Sequence, residues 1–229
     1  MSAAVVLLAG LVGAQPASAA AGLVCHLHDA RIDEASGITQ GIASPRVLYV
    51  HNDSGDTNRF FALDAGTCRT IATVTVPNAR NVDWEDIAVA PDAAGTPSVW
   101  LADIGDNAAA RTEVAVYRID EPRLRPGEPA TSIRSGPADV WRLRYPGGPV
   151  DAESLAVSPR GVGYVVTKSL LGASTVYRLP PRADQARVQQ LTRVGAIEFT
   201  PTSPGGPVEL ARQVAATSAA FSPDGTRFA

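Results

Sequence analysis

Lysine is almost missing from this sequence: Lys168 is the only one among 20 basic residues, so arginine carries the positive charge. There is no basic excess either. The net charge of −3 argues against a nucleic-acid partner, which normally meets a basic face. Cysteine is limited to Cys25 and Cys68, in no C-x-x-C spacing, so a thiolate zinc site is not expected. The 3 histidines, His26, His28 and His51, form no H-E-x-x-H cluster. A G-x-S-x-G elbow and a glycine-rich phosphate loop after a strand are both missing, which leaves α/β-hydrolase and nucleotide chemistry without support. Past the N-terminus no segment carries the apolar period of an amphipathic helix. Aromatic residues are sparse at 6%, whereas 20 glycines and 18 prolines favour a turn-rich chain.

What is present begins with an apolar run, Ala3–Ala14, too short to span a bilayer. The A-x-A triplet Ala17-Ser18-Ala19 follows it. Together they predict a secretory signal peptide over residues 1–21, although only Met1-Ser2 stand where a basic n-region usually lies. The chain is therefore expected to be secreted, with no membrane contact beyond the signal. In an exported protein two cysteines suggest a disulfide, Cys25–Cys68; two buried free thiols are the alternative. A bridge would close a loop of about 43 residues and contribute ~3–4 kcal/mol by the chain-entropy argument.

Beyond the signal, short β-rich runs recur in groups of four, separated by Gly, Pro, Asp and Asn. The first group is Ser36–Thr39, Val47–Asp53, Arg59–Asp64 and Thr70–Val76. The second is Glu85–Ala90, Ser98–Asp103, Val114–Asp120 and Asp139–Tyr145. The third is Glu153–Ser158, Val162–Lys168, Thr175–Leu179 and Arg187–Val194. Each group opens on a related phrase: SGIT, EDIAVAPD, ESLAVSPRG and, at Ser218, SAAFSPDG. These phrases recur at intervals of roughly 50–70 residues, as the four-stranded blades of a β-propeller would. A sandwich of short strands would not repeat one phrase at one strand position. The predicted fold is thus all-β, a partial β-propeller over residues 22–229 with blades near 29–77, 83–146, 151–195 and 214–229. The stretches Glu121–Pro137 and Phe199–Leu210 read as insertions. Three blades and the start of a fourth do not close a ring, so the natural protein is expected to continue for further blades.

That architecture accounts for an odd feature of NVDWEDIAVAP, in which Asp83, Glu85 and Asp86 crowd the entrance of a strand. Acidic residues are depleted in strands. In a propeller, however, the start of each innermost strand and the end of the next lie at one mouth of the channel. Glu34, Asp83, Glu85, Asp86, Asp151 and Glu153 fall at starts; Asp53, Asp56, Asp103 and Asp106 fall at ends. Massed carboxylates repel unless a cation neutralises them or some hold a proton. Hard oxygen ligands suit Ca²⁺ best and Mg²⁺ next. The candidate metal ligands are Asp53, Asp83, Glu85, Asp103, Asp106 and Glu153, with Asn52, Asn81 and Asn107 as neutral oxygen donors. The plainer readings are that Asp56 and Asp106 form turns and that Asp86 or Ser154 bonds a backbone amide. Lys168 either holds an anionic group or balances charge, and His51 either acts at the mouth or packs locally. Trp84, Trp100 and Trp141 read as packing between blades.

The stretches LYVHNDSGD, DWEDIAVAPD, VWLADIGDN, YPGGPVDAESLAV, GYVVTKS and FSPDG resemble a family of secreted bacterial β-propeller proteins, and more distantly the phytase-like and NHL-type propellers. The resemblance spans roughly Asp29–Ala229. It implies a propeller with an acidic channel, and calcium in several distant relatives, some of them phosphoesterases or lactonases. The expected function is a calcium-occupied binding or scaffold module for a small molecule or an extracellular partner. The alternative is a calcium-dependent hydrolase of phosphate esters or lactones. There the metal would activate a water, with Glu85, Glu153 or His51 as base and Lys168 holding an anionic group. A phytase-like site would call for several basic residues at the mouth, and this segment offers one.

Overall fold

The computed structural model describes residues 24–170, 173–199 and 215–229; the predicted signal peptide and most of the Phe199–Leu210 stretch lie outside them. Within the described residues the chain is all-β. The first sheet is an antiparallel meander of β1 (Ala35–Gln40), β2 (Val47–Asn52), β3 (Arg59–Asp64) and β4 (Thr70–Thr75). The second repeats it with β5 (Trp84–Pro91), β6 (Pro97–Asp103), β7 (Val114–Asp120) and, after β8 (Thr131–Arg134), β9 (Asp139–Arg144). The third uses β10 (Ala152–Val157), β11 (Gly163–Thr167), β12 (Ser174–Arg178) and, after β13 (Asp184–Gln190), β14 (Thr192–Ile197). The three first strands are innermost, with β5 packed between β1 and β10. These are three blades of a β-propeller. A fourth starts within residues 215–229, where a Phe221–Phe228 bridge closes a hairpin and Phe221 packs on Tyr164 with ring centroids 5.6 Å apart.

The period of two along each strand builds the core. In β6, Val99 and Leu101 face the first blade, while Trp100 and Ala102 face the third. A central blade so buries both faces, which explains its near-continuous apolar runs. The few aromatics are spent at these seams: Trp84 lies between His51 and Tyr117, and Trp100 stacks on Trp141 at 5.1 Å.

The sheets depart from the sequence reading in one respect. The first two have five strands, not four, because the connection between a blade's third and outermost strands adds a parallel strand to the preceding blade. Within the stretch read as an insertion, β8 pairs with β4. Likewise β13 pairs with β9. The run Arg187–Val194, read as one strand, therefore divides: its first half edges the second blade and its second half enters β14, the true outer strand of the third. Alternation alone cannot tell which sheet an exposed strand joins.

Two staples fix the first blade. Cys25 and Cys68 form the expected disulfide, Cα atoms 5.8 Å apart, tying the N-terminal segment to the β3–β4 turn; the free-thiol alternative is set aside. Buried Glu121, just past β7, accepts hydrogen bonds from the backbone amides of Ile42, Ala43 and Ser44 in the β1–β2 turn. Among the described residues, no helix is long and apolar enough to cross a membrane.

Candidate metal centre at the channel mouth

Each first strand carries a β-bulge at the same place. One extra residue intervenes between the pairs Ala35–Asn52 and Ile38–Val50, between Trp84–Asp103 and Asp86–Ala102, and between Ala152–Thr167 and Ser154–Val166. A bulge re-aims a side chain without ending the ladder. Here the residues so placed are Glu85 and Glu153, so the poor β-formers of the repeated phrase sit where regular pairing is already broken.

The residue after each bulged glutamate, Asp86 or Ser154, is buried. The Asp86 carboxylate accepts hydrogen bonds from Ile87 N at 2.9 Å and Leu155 N at 2.8 Å, with the Ser218 hydroxyl at 3.3 Å. One side chain thereby joins the second, third and fourth blades, and the reading of Asp86 as a backbone partner is realised. Its counterpart in the first blade is Gly37, where a Cβ would come within 2.7 Å of Ile87 N, so only glycine lets that strand approach. Ser154 has the matching place in the third blade, and its buried hydroxyl has no partner among the described residues.

At the mouth, Asp53 from the end of β2 meets Asp83 and Glu85 from the start of β5, with one carboxylate oxygen of each within 4.8 Å of the others. Burial, then Asp53, pushes the Asp83 carboxyl up to about 6. Burial, then Asp53 and Glu153, pushes Glu85 up to about 8. Gly105, in the loop after β6, makes room for them: a Cβ there would run into the Glu85 and Asp83 carboxylates.

The remaining predicted ligands are turned to other partners. Asp103 is buried, accepts the Asp83 amide at 3.0 Å and pairs with Arg111 at 3.0 Å. Burial raises its pKa, against the pull of Arg111. Asp106 accepts the amides of Ala110 and Arg111, both at 2.8 Å, which is the turn-forming role. Its own amide donates to Asp151 at 2.8 Å. Asp56 binds Arg59 and the Asn52 amide group. Glu153 pairs with Lys168 beside the cluster, so charge balance is the role in which Lys168 is held. Asn81 is engaged by the Trp84 amide and the Asp53 carbonyl, and Asn107 is exposed.

His51 is placed away from solvent. Its Nδ1 meets the Asn52 carbonyl at 2.7 Å and its Nε2 accepts the Gly37 amide at 3.2 Å, an arrangement that requires the neutral ring. Burial lowers its pKa accordingly. It is a packing residue against Trp84, not a mouth residue.

Sequence reasoning missed Arg111, which donates to the Gly105 carbonyl at 2.7 Å and closes the flank of the site. The only signal was its position just after the acidic loop ADIGDN.

No protein-family model matches the chain, and no curated protein matches it in sequence. Among solved structures it is similar to hydrazine synthase of Kuenenia stuttgartiensis, with 13% identity, a TM-score of 0.40, and coverage of 85% of this chain and 67% of that one. It is also similar to the PQQ-bound form of aldose sugar dehydrogenase from Streptomyces coelicolor, with 12% identity, a TM-score of 0.38, and coverage of 83% and 72%. Neither the cofactor nor the chemistry of those proteins bears on this site.

Proposed function

We propose that the chain is an exported propeller whose channel mouth holds a calcium ion through Asp53, Asp83 and Glu85, and that it serves as a binding module. The observation that carries this reading is the meeting of three carboxylates from two separate blades at metal-ligating distance. The donor set fits: all are hard oxygens, and water completes the six to eight positions that calcium takes. Lys168 is already committed to Glu153, and Arg111 to Asp103, so the cluster has no cation of its own among the described residues.

Calcium titration of metal-free protein by calorimetry tests the proposal, alongside thermal melting with and without chelator. Saturable binding, a higher Tm with calcium, and loss of both in Asp83→Asn are expected. A Tm indifferent to calcium and to chelator overturns it. The second reading, a calcium-dependent hydrolase of phosphate esters or lactones, draws on Lys168, which stays a quarter exposed beside the cluster at 26% of its side chain. Turnover of chromogenic phosphate esters or lactones that requires calcium and fails in Glu85→Gln would favour it over a binding role.

A further inference from the structure

A second site lies outside the channel, on the flank between the first and second blades. There a cleft of about 540 Å³ opens, within the size range of small-molecule pockets. Its walls come from the interblade connection after β4, the β6–β7 loop, strands β7 and β9, and the lent strand β13. Three guanidinium groups line it, from Arg80, Arg111 and Arg142, against two carboxylates, Asp103 and Glu113.

The pairing is uneven. Arg142 meets Glu113 through two contacts of 2.5 and 2.7 Å, and Arg111 meets Asp103. The side chain of Arg80 has no hydrogen-bond or ion-pair partner among the described residues, although its backbone is pinned on both sides. Its amide donates to the Tyr117 hydroxyl at 3.2 Å, and its carbonyl accepts the Trp84 indole N–H at 2.6 Å. The Tyr117 hydroxyl, buried at the cleft wall, accepts that bond and has no acceptor for its own hydrogen among the described residues. The cleft therefore presents one uncompensated guanidinium on a fixed backbone, a free phenol O–H, and Arg142 at the rim. The positive field is felt by Glu113, whose carboxyl is held below its usual range by its bond to Arg142 and, at longer reach, by Arg111 and Arg80.

We propose that this cleft binds the anionic group of a small molecule, a carboxylate or a phosphate, with Arg80 as the principal contact and Tyr117 and Arg142 as further donors. Guanidinium and phenol donors both match an oxyanion, and charge-assisted bonds of this kind are about twice as strong as neutral ones. The site does not depend on the calcium reading, because none of the three proposed ligands of the ion lines it.

The test is a calorimetric titration of the intact chain in metal-free buffer without chelator, using inorganic phosphate, glucuronate and, as neutral control, glucose. Saturable binding of phosphate, of glucuronate or of both, without binding of glucose, is expected. The arm that binds identifies the anion class. Arg80→Gln should weaken that binding about tenfold. Arg46→Gln, on an exposed turn of the first blade, should leave it unchanged. Failure of both anions to bind, equal binding of glucose, or an Arg80→Gln protein that is folded by circular dichroism and binds as well as wild type overturns the proposal.

Discussion

The mouth joins three carboxylates, and the raised pKa values of two of them, Asp83 and Glu85, make an explicit pH prediction. Glu85 keeps its proton up to about 8 in the folded chain, against 4.5 as its ordinary value. Folding thus takes up a proton between those values, and stability falls as pH rises through that window. Asp83 adds the same sense of change between 3.8 and about 6. Calcium relieves the repulsion of the ionised forms, so its stabilising effect should grow as pH rises through the same range. Melting curves in matched buffers check this. In the absence of metal, Glu85→Gln should raise Tm at the alkaline end of the range and abolish the calcium increment. Gly105→Ala acts at the same place by sterics. The new Cβ meets the ends of two flexible side chains, so the fold should survive with little loss. Calcium affinity should drop by at least about tenfold, because two ligating carboxylates are displaced and the loss of even a contact that only supports a ligand costs about that much.

Among the elements, β8 and β13 are the informative ones. Both are exposed and parallel to the outer strand of the preceding blade, and both lie between the third and outermost strands of their own. Each clasps two blades by main-chain hydrogen bonds, which composition does not reveal. Along β8, successive amides point alternately toward and away from β4, so proline at Ser132 or at Ile133 must remove a ladder bond in one case and spare it in the other. One of Ser132→Pro and Ile133→Pro should cost on the order of 2–3 kcal/mol in urea unfolding, the other much less. Equal, negligible effects would mean that the clasp contributes nothing.

At the scale of the molecule, stability rests on seams between blades and on the bridge that anchors the N-terminal segment. The Cys25–Cys68 loop spans 43 residues, and its reduction should lower unfolding free energy by ~3–4 kcal/mol, read as a downward shift of the denaturation midpoint under reductant. The ion site belongs to this scale as well. Asp53 comes from one blade and Asp83 and Glu85 from the next, so calcium would bind across a seam and reinforce it.

The repeated phrases, the apolar alternation and the turn residues determined the blade strands and their grouping. Each of those signals is local, and a blade is a local meander. The same logic brought acidic residues to one mouth, and there Asp53, Asp83 and Glu85 do meet. What only the tertiary structure decided was the division of labour among the acids. Asp103, Asp106 and Glu153 look like ligands in sequence, but Arg111, a backbone loop and Lys168 hold them, and these partnerships depend on distance in space. His51 stands beside the mouth in sequence, yet its neighbours in space are a glycine amide and an indole, which leave it neutral and enclosed. The lent strands and the arginine cleft share that origin: both arise where one blade lies against the next, and no local pattern of residues encodes a neighbour.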